Sequence, residues 1–265
     1  MDVGTAIGIV SQVAWSEQSY SAARITREAI AFVHKQTGEI DPTKHWRFRR
    51  VFDGITRTFG TGCPNRKLGL QRVELGAMID VALSKGRLDH AVALAVCYEG
   101  ALRVDELCRL EIQHVYWSGH GATLLVKKSK TDPGSMGAYV DLRTRAGAPF
   151  DANVILARWM KRLQRADGPL ITPLRHGTPS NTAYLPREFT RMIKEYAAII
   201  GMNPRPIGSH SCRSGWATEE LDLGRPEAQV AAHLRHATLD MLLRYYRPRR
   251  APLNLTQHAD PGRIA

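Results

Sequence analysis

Along the first part of the chain, apolar positions recur at helical spacing. In SYSAARITREAIAFVHKQ, residues 19–36, Ile25, Ala29, Phe32 and Val33 share one face while Arg24, Arg27 and Glu28 lie elsewhere. That predicts an amphipathic helix with this apolar face inward. After a break at Asp41-Pro42, WRFRRVFDGITRTF predicts a second helix. It turns Phe48, Val51, Phe52, Ile55 and Phe59 inward and leaves Arg47, Arg49, Arg50 and Arg57 on a cationic outer face. The opening stretch, MDVGTAIGIVSQVAWSEQ, has only faint helical character. Residues 60–71, GTGCPNRKLGLQ, mix glycine, proline and basic residues without a period and read as a linker.

Beyond it, VELGAMIDVALSKG and RLDHAVALAVCYEG predict helices, the second apolar enough for the centre of a core and ended by Gly100. EIQHVYW, ATLLVKKSK and AYVDLRT are rich in β-branched and aromatic residues. The turn compositions SGHG and TDPGSMG separate them, which predicts a small antiparallel three-stranded sheet. Helices then resume in ANVILARWMKRLQR, REFTRMIKEYAAIIG, the segment around CRSGWATEELDLG, PEAQVAAHL and LDMLLRYY. In the last of these, Leu239, Leu242, Leu243 and Tyr246 form one apolar stripe, and Tyr245 lies about 100° around from Tyr246. The fold class is mostly α, of α+β type: a helical N-terminal domain followed by a mixed domain with a small sheet.

Composition narrows the partners. The chain has 265 residues, 43% of them hydrophobic, enough for a small domain and a larger one. Lysine plus arginine outnumber aspartate plus glutamate by 37 to 25, a net charge of +12. Such an excess suits a polyanion, nucleic acid being the commonest, against the alternative of a merely basic soluble protein. Cys63, Cys97, Cys108 and Cys212 lack CxxC spacing, so no zinc site or disulfide framework is expected, and the chain reads as intracellular and metal-free. No apolar run approaches the roughly 20 residues of a membrane span, and the N-terminus lacks the pattern of a signal peptide.

Four short pieces carry residues capable of chemistry. These are ALRVDEL with Arg103 and Glu106, VKKSKTD with Lys127, Lys128 and Lys130, HSCR with His210 and Arg213, and RHATLDMLLRYY with His236, Tyr245 and Tyr246. Each alone has an ordinary reading: a surface ion pair at i,i+3, a solvated hairpin tip, a chance His-x-x-Arg, two core aromatics. Their order, however, resembles the catalytic domain of the tyrosine recombinases, or phage-type integrases. ALRVDELCRL is similar to that family's first arginine motif, HSCRSGWATEELDLG to its second, and HLRHATLDMLLRYY to its closing histidine and tyrosine. The resemblance covers residues 73–250 and continues weakly upstream. It implies a partial, shortened, SAM-like core-binding domain over 1–62, a linker over 63–72, the catalytic domain over 73–250 and a basic tail over 251–265.

The resemblance also implies roles that the chemistry of metal-free strand transfer asks for independently. A tyrosine that stays attached keeps the phosphodiester energy in a 3′-phosphotyrosyl bond. Two guanidiniums, Arg103 and Arg213, supply permanent charge in a fork suited to the non-bridging oxygens. A lysine in a cationic pocket can protonate the 5′ oxygen; Lys130 holds the family's hairpin position, with Lys127 and Lys128 as rivals and DNA contacts. His210 and His236 would hydrogen-bond the phosphate or move protons, and Glu106 would orient Arg103. Tyr245, nine residues after His236, is the expected nucleophile, with Tyr246 the alternative. Arg47 and Arg50 are expected on DNA. The partner is double-stranded DNA, the assembly on it a homo-tetramer, the location DNA-associated, and no cofactor is expected. Type IB topoisomerase-like relaxation and a DNA-binding protein without catalysis are the other readings. Arg235 departs from the family, which usually has glycine there; it would distort the turn or add a phosphate contact. The tail offers no long helix for docking on a neighbour.

Overall fold

In the computed structural model, residues 1–60, 67–127, 137–236 and 242 are described. The chain divides into two units, Met1–Arg66 and Lys67–Ala265.

The first unit contains three helices, α1 (Val3–Ser16), α2 (Tyr20–Thr37) and α3 (Trp46–Phe59). The faint pattern at the N-terminus is thus a helix, and the sequence reading is corrected there. Asp2 caps it, accepting from the Thr5 backbone N–H at 3.0 Å. Its inward positions, Ala6, Val10 and Ala14, do recur at helical spacing, but small residues and the nearby Gly4 and Gly8 flatten the contrast between faces. On α2 the expected face is wrong. Ala23, Ile30 and His34 are buried, whereas Ile25, Phe32 and Val33 are 60%, 62% and 55% exposed. Two apolar stripes run along this helix; the buried one carries the small Ala23, which permits close approach in a core shared with Ala6 and Ala14. On α3, Phe48, Phe52 and Ile55 are buried as expected, Phe59 packs partly, and Val51 lies at the exposed margin.

The second unit begins with α4 (Arg72–Ser84) and α5 (Leu88–Glu99), the latter buried on every side from Ala91 to Glu99 and ended by Gly100. The short α6 (Val104–Cys108) leads to β1 (Val115–Ser118), β2 (Gly121–Val126) and β3 (Ala138–Asp141), an antiparallel sheet in the order β1-β2-β3. Residues 112–114 of the first predicted strand instead form a 3₁₀ turn. The register pairs Tyr116 with Thr123 and Leu124 with Val140. Next comes α7 (Ala152–Leu163), whose Asn153 fastens the sheet to it: its Oδ1 accepts from Ala122 N–H at 2.8 Å and its Nδ2 donates to the Leu142 carbonyl at 2.9 Å. A ribbon of two two-residue strands, β4 (Leu174–Arg175) and β5 (Thr178–Pro179), is too short to leave a periodic signal. The remaining helices are α8 (Pro186–Ile199), α9 (Ser211–Asp222) and α10 (Glu227–His233).

Residues 67–71, read as linker from their composition, are pinned along the approach to α9. Leu68 N–H donates to the Pro206 carbonyl at 2.8 Å, Leu70 N–H to that of Ser211 at 3.0 Å, and Leu70 is fully buried. α9 comes so close to this segment that a Cβ on Gly215 would lie 1.8 Å from the Leu70 carbonyl oxygen. Buried and half-buried ion pairs fix the far end of the same helix: Glu219 takes Arg72, which also pairs with Glu99, and Glu220 takes Arg145 and Arg225.

Candidate active site

The site grows from the end of α5. After Gly100 the chain closes the helix with two backbone bonds, Ala101 N–H to the Tyr98 carbonyl and Leu102 N–H to that of Cys97. This is the Schellman arrangement, and it places Ala101 in the left-handed region at φ 42°, where a side chain is unfavourable. The Ala101 carbonyl is thereby presented to arginines on two other elements.

Two residues on, Arg103 is the N-cap of α6, and Glu106 folds back on it. The carboxylate accepts from the Arg103 backbone N–H at 2.9 Å and from its Nη1 at 2.6 Å. Glu106 is almost completely buried, so this pair belongs to the interior and is no solvated surface contact. Arg213 stands in the first turn of α9 with no solvent exposure, and its guanidinium donates to the carbonyls of Ala101 and Leu234. His210 is the N-cap of the same helix.

The end of α10 repeats the geometry seen after α5. Arg235 N–H donates to the Ala232 carbonyl and His236 N–H to that of Ala231, with Arg235 at φ 54°. The left-handed position that glycine would fill is thus retained with an arginine in it. Its side chain reaches back across the site, donating to the carbonyls of His233 at 2.7 Å and Ala101 at 3.1 Å, and to Glu106 Oε2 at 2.8 Å. His233, three residues before His236, is held in the scaffold: its ring stacks on Trp216 at 4.1 Å, and its Nε2 lies 2.9 Å from the Glu99 carbonyl.

Electrostatics follow from this crowding of cations. Burial and then the charges of Arg213, Arg103 and Arg235 push His236 down to about 4. His210 is lowered too, by partial desolvation and by the charges of Arg213 and Arg103. Burial works to raise the Glu106 carboxyl, yet Arg235 and Arg103 hold it below the ordinary range. Near neutral pH the site therefore presents guanidiniums from three elements, two neutral imidazoles and one ionised carboxylate, a setting that favours a phosphate-like anion.

Of the residues expected from the sequence, Arg103, Glu106, His210, Arg213 and His236 come together here. Lys127 follows β2 and is exposed, its Nζ 3.7 Å from Glu111. Arg47 and Arg50 are exposed on α3, in the first unit. Lys128, Lys130, Tyr245 and Tyr246 lie outside the described residues; from the apolar stripe beside the tyrosines, Leu242 is helical and buried. The sequence reading missed the ionic tie from Arg235 to Glu106 and the carbonyls of Ala101 and Leu234 as acceptors. The one available signal was a large cationic residue at a turn position that favours glycine.

Comparison with known proteins adds three findings. Residues 70–251 match the model described as the phage integrase family. No curated protein matches the chain in sequence. Among solved structures, the chain is similar to the XerA recombinase at 18% identity and TM-score 0.55, covering 93% of this chain and 78% of that one. It is also similar to the Tn1549 transposon integrase in complex with transposon right end DNA, at 15% identity and TM-score 0.69, over 97% of this chain and 84% of that one. A lambda integrase dimer bound to a COC′ core site aligns at 15% identity and TM-score 0.66, over 96% and 67%. At such identities the likeness is one of fold.

Proposed function

Because this chain belongs to the phage integrase family, we propose that it is a site-specific DNA recombinase or integrase that cuts and rejoins strands through a 3′-phosphotyrosyl intermediate. The observation that carries this reading is the convergence of Arg103, His210, Arg213 and His236, from three separate stretches of sequence, in one cationic pocket where both imidazoles feel the charges of Arg103 and Arg213.

In the proposed reaction the Tyr245 oxygen attacks the scissile phosphorus and gives up its proton as the P–O bond forms. The bond to the 5′ oxygen breaks, and Lys130 supplies the proton that makes a free 5′ hydroxyl. Arg103 and Arg213 stabilise the added negative charge on the non-bridging oxygens. His236, neutral before DNA arrives, donates an N–H to one of those oxygens, and His210 hydrogen-bonds the phosphate or assists the tyrosine proton. Rejoining is the reverse, with a 5′ hydroxyl attacking the phosphotyrosine. Exchange between two duplexes calls for several copies, and a homo-tetramer on double-stranded DNA is the proposed assembly. Arg47, Arg50, Lys127 and Lys128 are the proposed contacts to the DNA backbone, and the proposed layout is a core-binding domain over 1–62, a linker over 63–72, a catalytic domain over 73–250 and a C-terminal tail over 251–265.

Single-turnover cleavage of a nicked duplex tests these roles. Arg103→Ala and Arg213→Ala should each slow cleavage on the order of 10²–10³-fold while duplex binding persists. Undiminished cleavage in both variants would contradict the phosphate-binding assignment.

A further inference from the structure

Arg235 occupies a backbone conformation that costs it energy and uses its side chain to reach the carboxylate beside Arg103. At φ 54° it is one of five non-glycine residues at positive φ among the described residues. A glycine would hold the same turn without strain. What the arginine adds is a guanidinium, nearly buried, anchored on the carbonyls of His233 and Ala101 and joined to Glu106 Oε2 at 2.8 Å. Glu106 in turn bonds both the backbone and the side chain of Arg103. Ala101, whose carbonyl takes Arg235, also takes Arg213. One side chain from the end of α10 thus ties together the supports of both arginines assigned to the phosphate.

We infer that Arg235 is a positioning residue: it shares Glu106 with Arg103 and so fixes the direction in which Arg103 presents its guanidinium to the scissile phosphate. The inference rests on the strand-transfer reading for its catalytic consequence, but the Arg235–Glu106 coupling itself does not. A buried carboxylate shared between two guanidiniums has both oxygens engaged, which restricts the rotation of either partner. Without Arg235, Glu106 can turn toward Arg103 alone and draw it away from substrate.

The test uses the full chain in four forms: unaltered, Arg235→Gly, Glu106→Gln and the double variant, with Arg235→Lys as a fifth. Glycine relieves the turn, so Arg235→Gly keeps the backbone arrangement while removing the guanidinium. On a nicked duplex, Arg235→Gly should slow single-turnover cleavage about 10- to 100-fold, the range found when partners supporting a ligating group are lost. The duplex affinity should stay within about threefold of the unaltered chain, since the phosphate-binding charges remain. In the Glu106→Gln background the same change should cost less than about threefold, because residues acting as a unit are not additive. Lysine keeps the charge on Glu106 under the same backbone strain and should recover part of the rate, which a purely structural effect of the turn would not give. Unchanged cleavage in Arg235→Gly, or a full multiplicative loss in the double variant, overturns the inference. Thermal melting of the first four proteins without DNA reads the coupling separately. Non-additive shifts are expected, and additive shifts overturn the inference even if the unaltered chain proves unable to cleave. An unaltered chain that binds DNA but never forms a covalent adduct overturns the strand-transfer reading, and the melting cycle then decides this one.

Discussion

His236 sits at about 4 because its ring is partly buried and faces Arg213, Arg103 and Arg235. An unperturbed histidine titrates near 6.5, so between those values the unfolded chain binds more protons than the folded one. Stability must then fall as pH is lowered from about 7 toward 4. His90 and His233, also brought to about 4 chiefly by burial, act in the same direction. Melting followed from pH 7 to pH 5 should show a falling midpoint, with a shallower fall in His236→Asn; identical slopes would contradict the environment assigned to His236. A bound phosphodiester reverses part of the field, so DNA binding near pH 6 should be accompanied by proton uptake, read by calorimetry in buffers of different ionisation enthalpy. At this scale part of the candidate site was legible: Arg103, Glu106, His210, Arg213 and His236, singled out through the resemblance of their short motifs to a known family, come together, while Lys130 and Tyr245 lie outside the described residues. Arg235 was visible only as a departure, because its role depends on a left-handed backbone and on a carbonyl from a distant turn, neither of which a linear pattern records.

Among the elements, α9 carries most of the burden of placing the site. His210 caps it, Arg213 lies in its first turn, and its middle is pressed on the backbone of residues 69–70. No side chain fits at Gly215, and the nearest atoms belong to backbone. Gly215→Ala should destabilise the protein by about 1–3 kcal/mol or more, the range for overpacking, and should also impair cleavage by displacing Arg213. A melting temperature equal to that of the unaltered chain would contradict the packing described for α9. The elements themselves were legible where the pattern is strong: α3 and α8 from their period, α5 from its apolar run, and the three strands from β-branched segments separated by turns. α1 was not, because alanine and glycine blur its faces. On α2 the presence of an apolar stripe was readable, but the choice between two stripes is made by how closely small residues let the helices approach. Residues 67–71 read as linker by composition, and the hydrogen bonds that lay them along the approach to α9 are ones that only the folded chain reveals.

For the molecule as a whole, net charge is the broadest constraint. An excess of twelve positive charges, with exposed arginines on α3 and Lys127 after β2, predicts duplex binding dominated by phosphate contacts. The logarithm of affinity should decline linearly with that of salt, by roughly 0.9 per phosphate contacted; affinity unchanged over a several-fold rise in salt would contradict DNA as the partner. Strand transfer through a tyrosine can be trapped with a suicide substrate. The protein is incubated without added metal with a duplex nicked near its target site and run on a denaturing gel. Protein covalently joined to a 3′ end is expected, retained in Tyr246→Phe and lost in Tyr245→Phe. Loss in Tyr246→Phe alone would move the nucleophile by one residue, and no adduct on a target duplex that the protein binds would contradict strand transfer through a tyrosine.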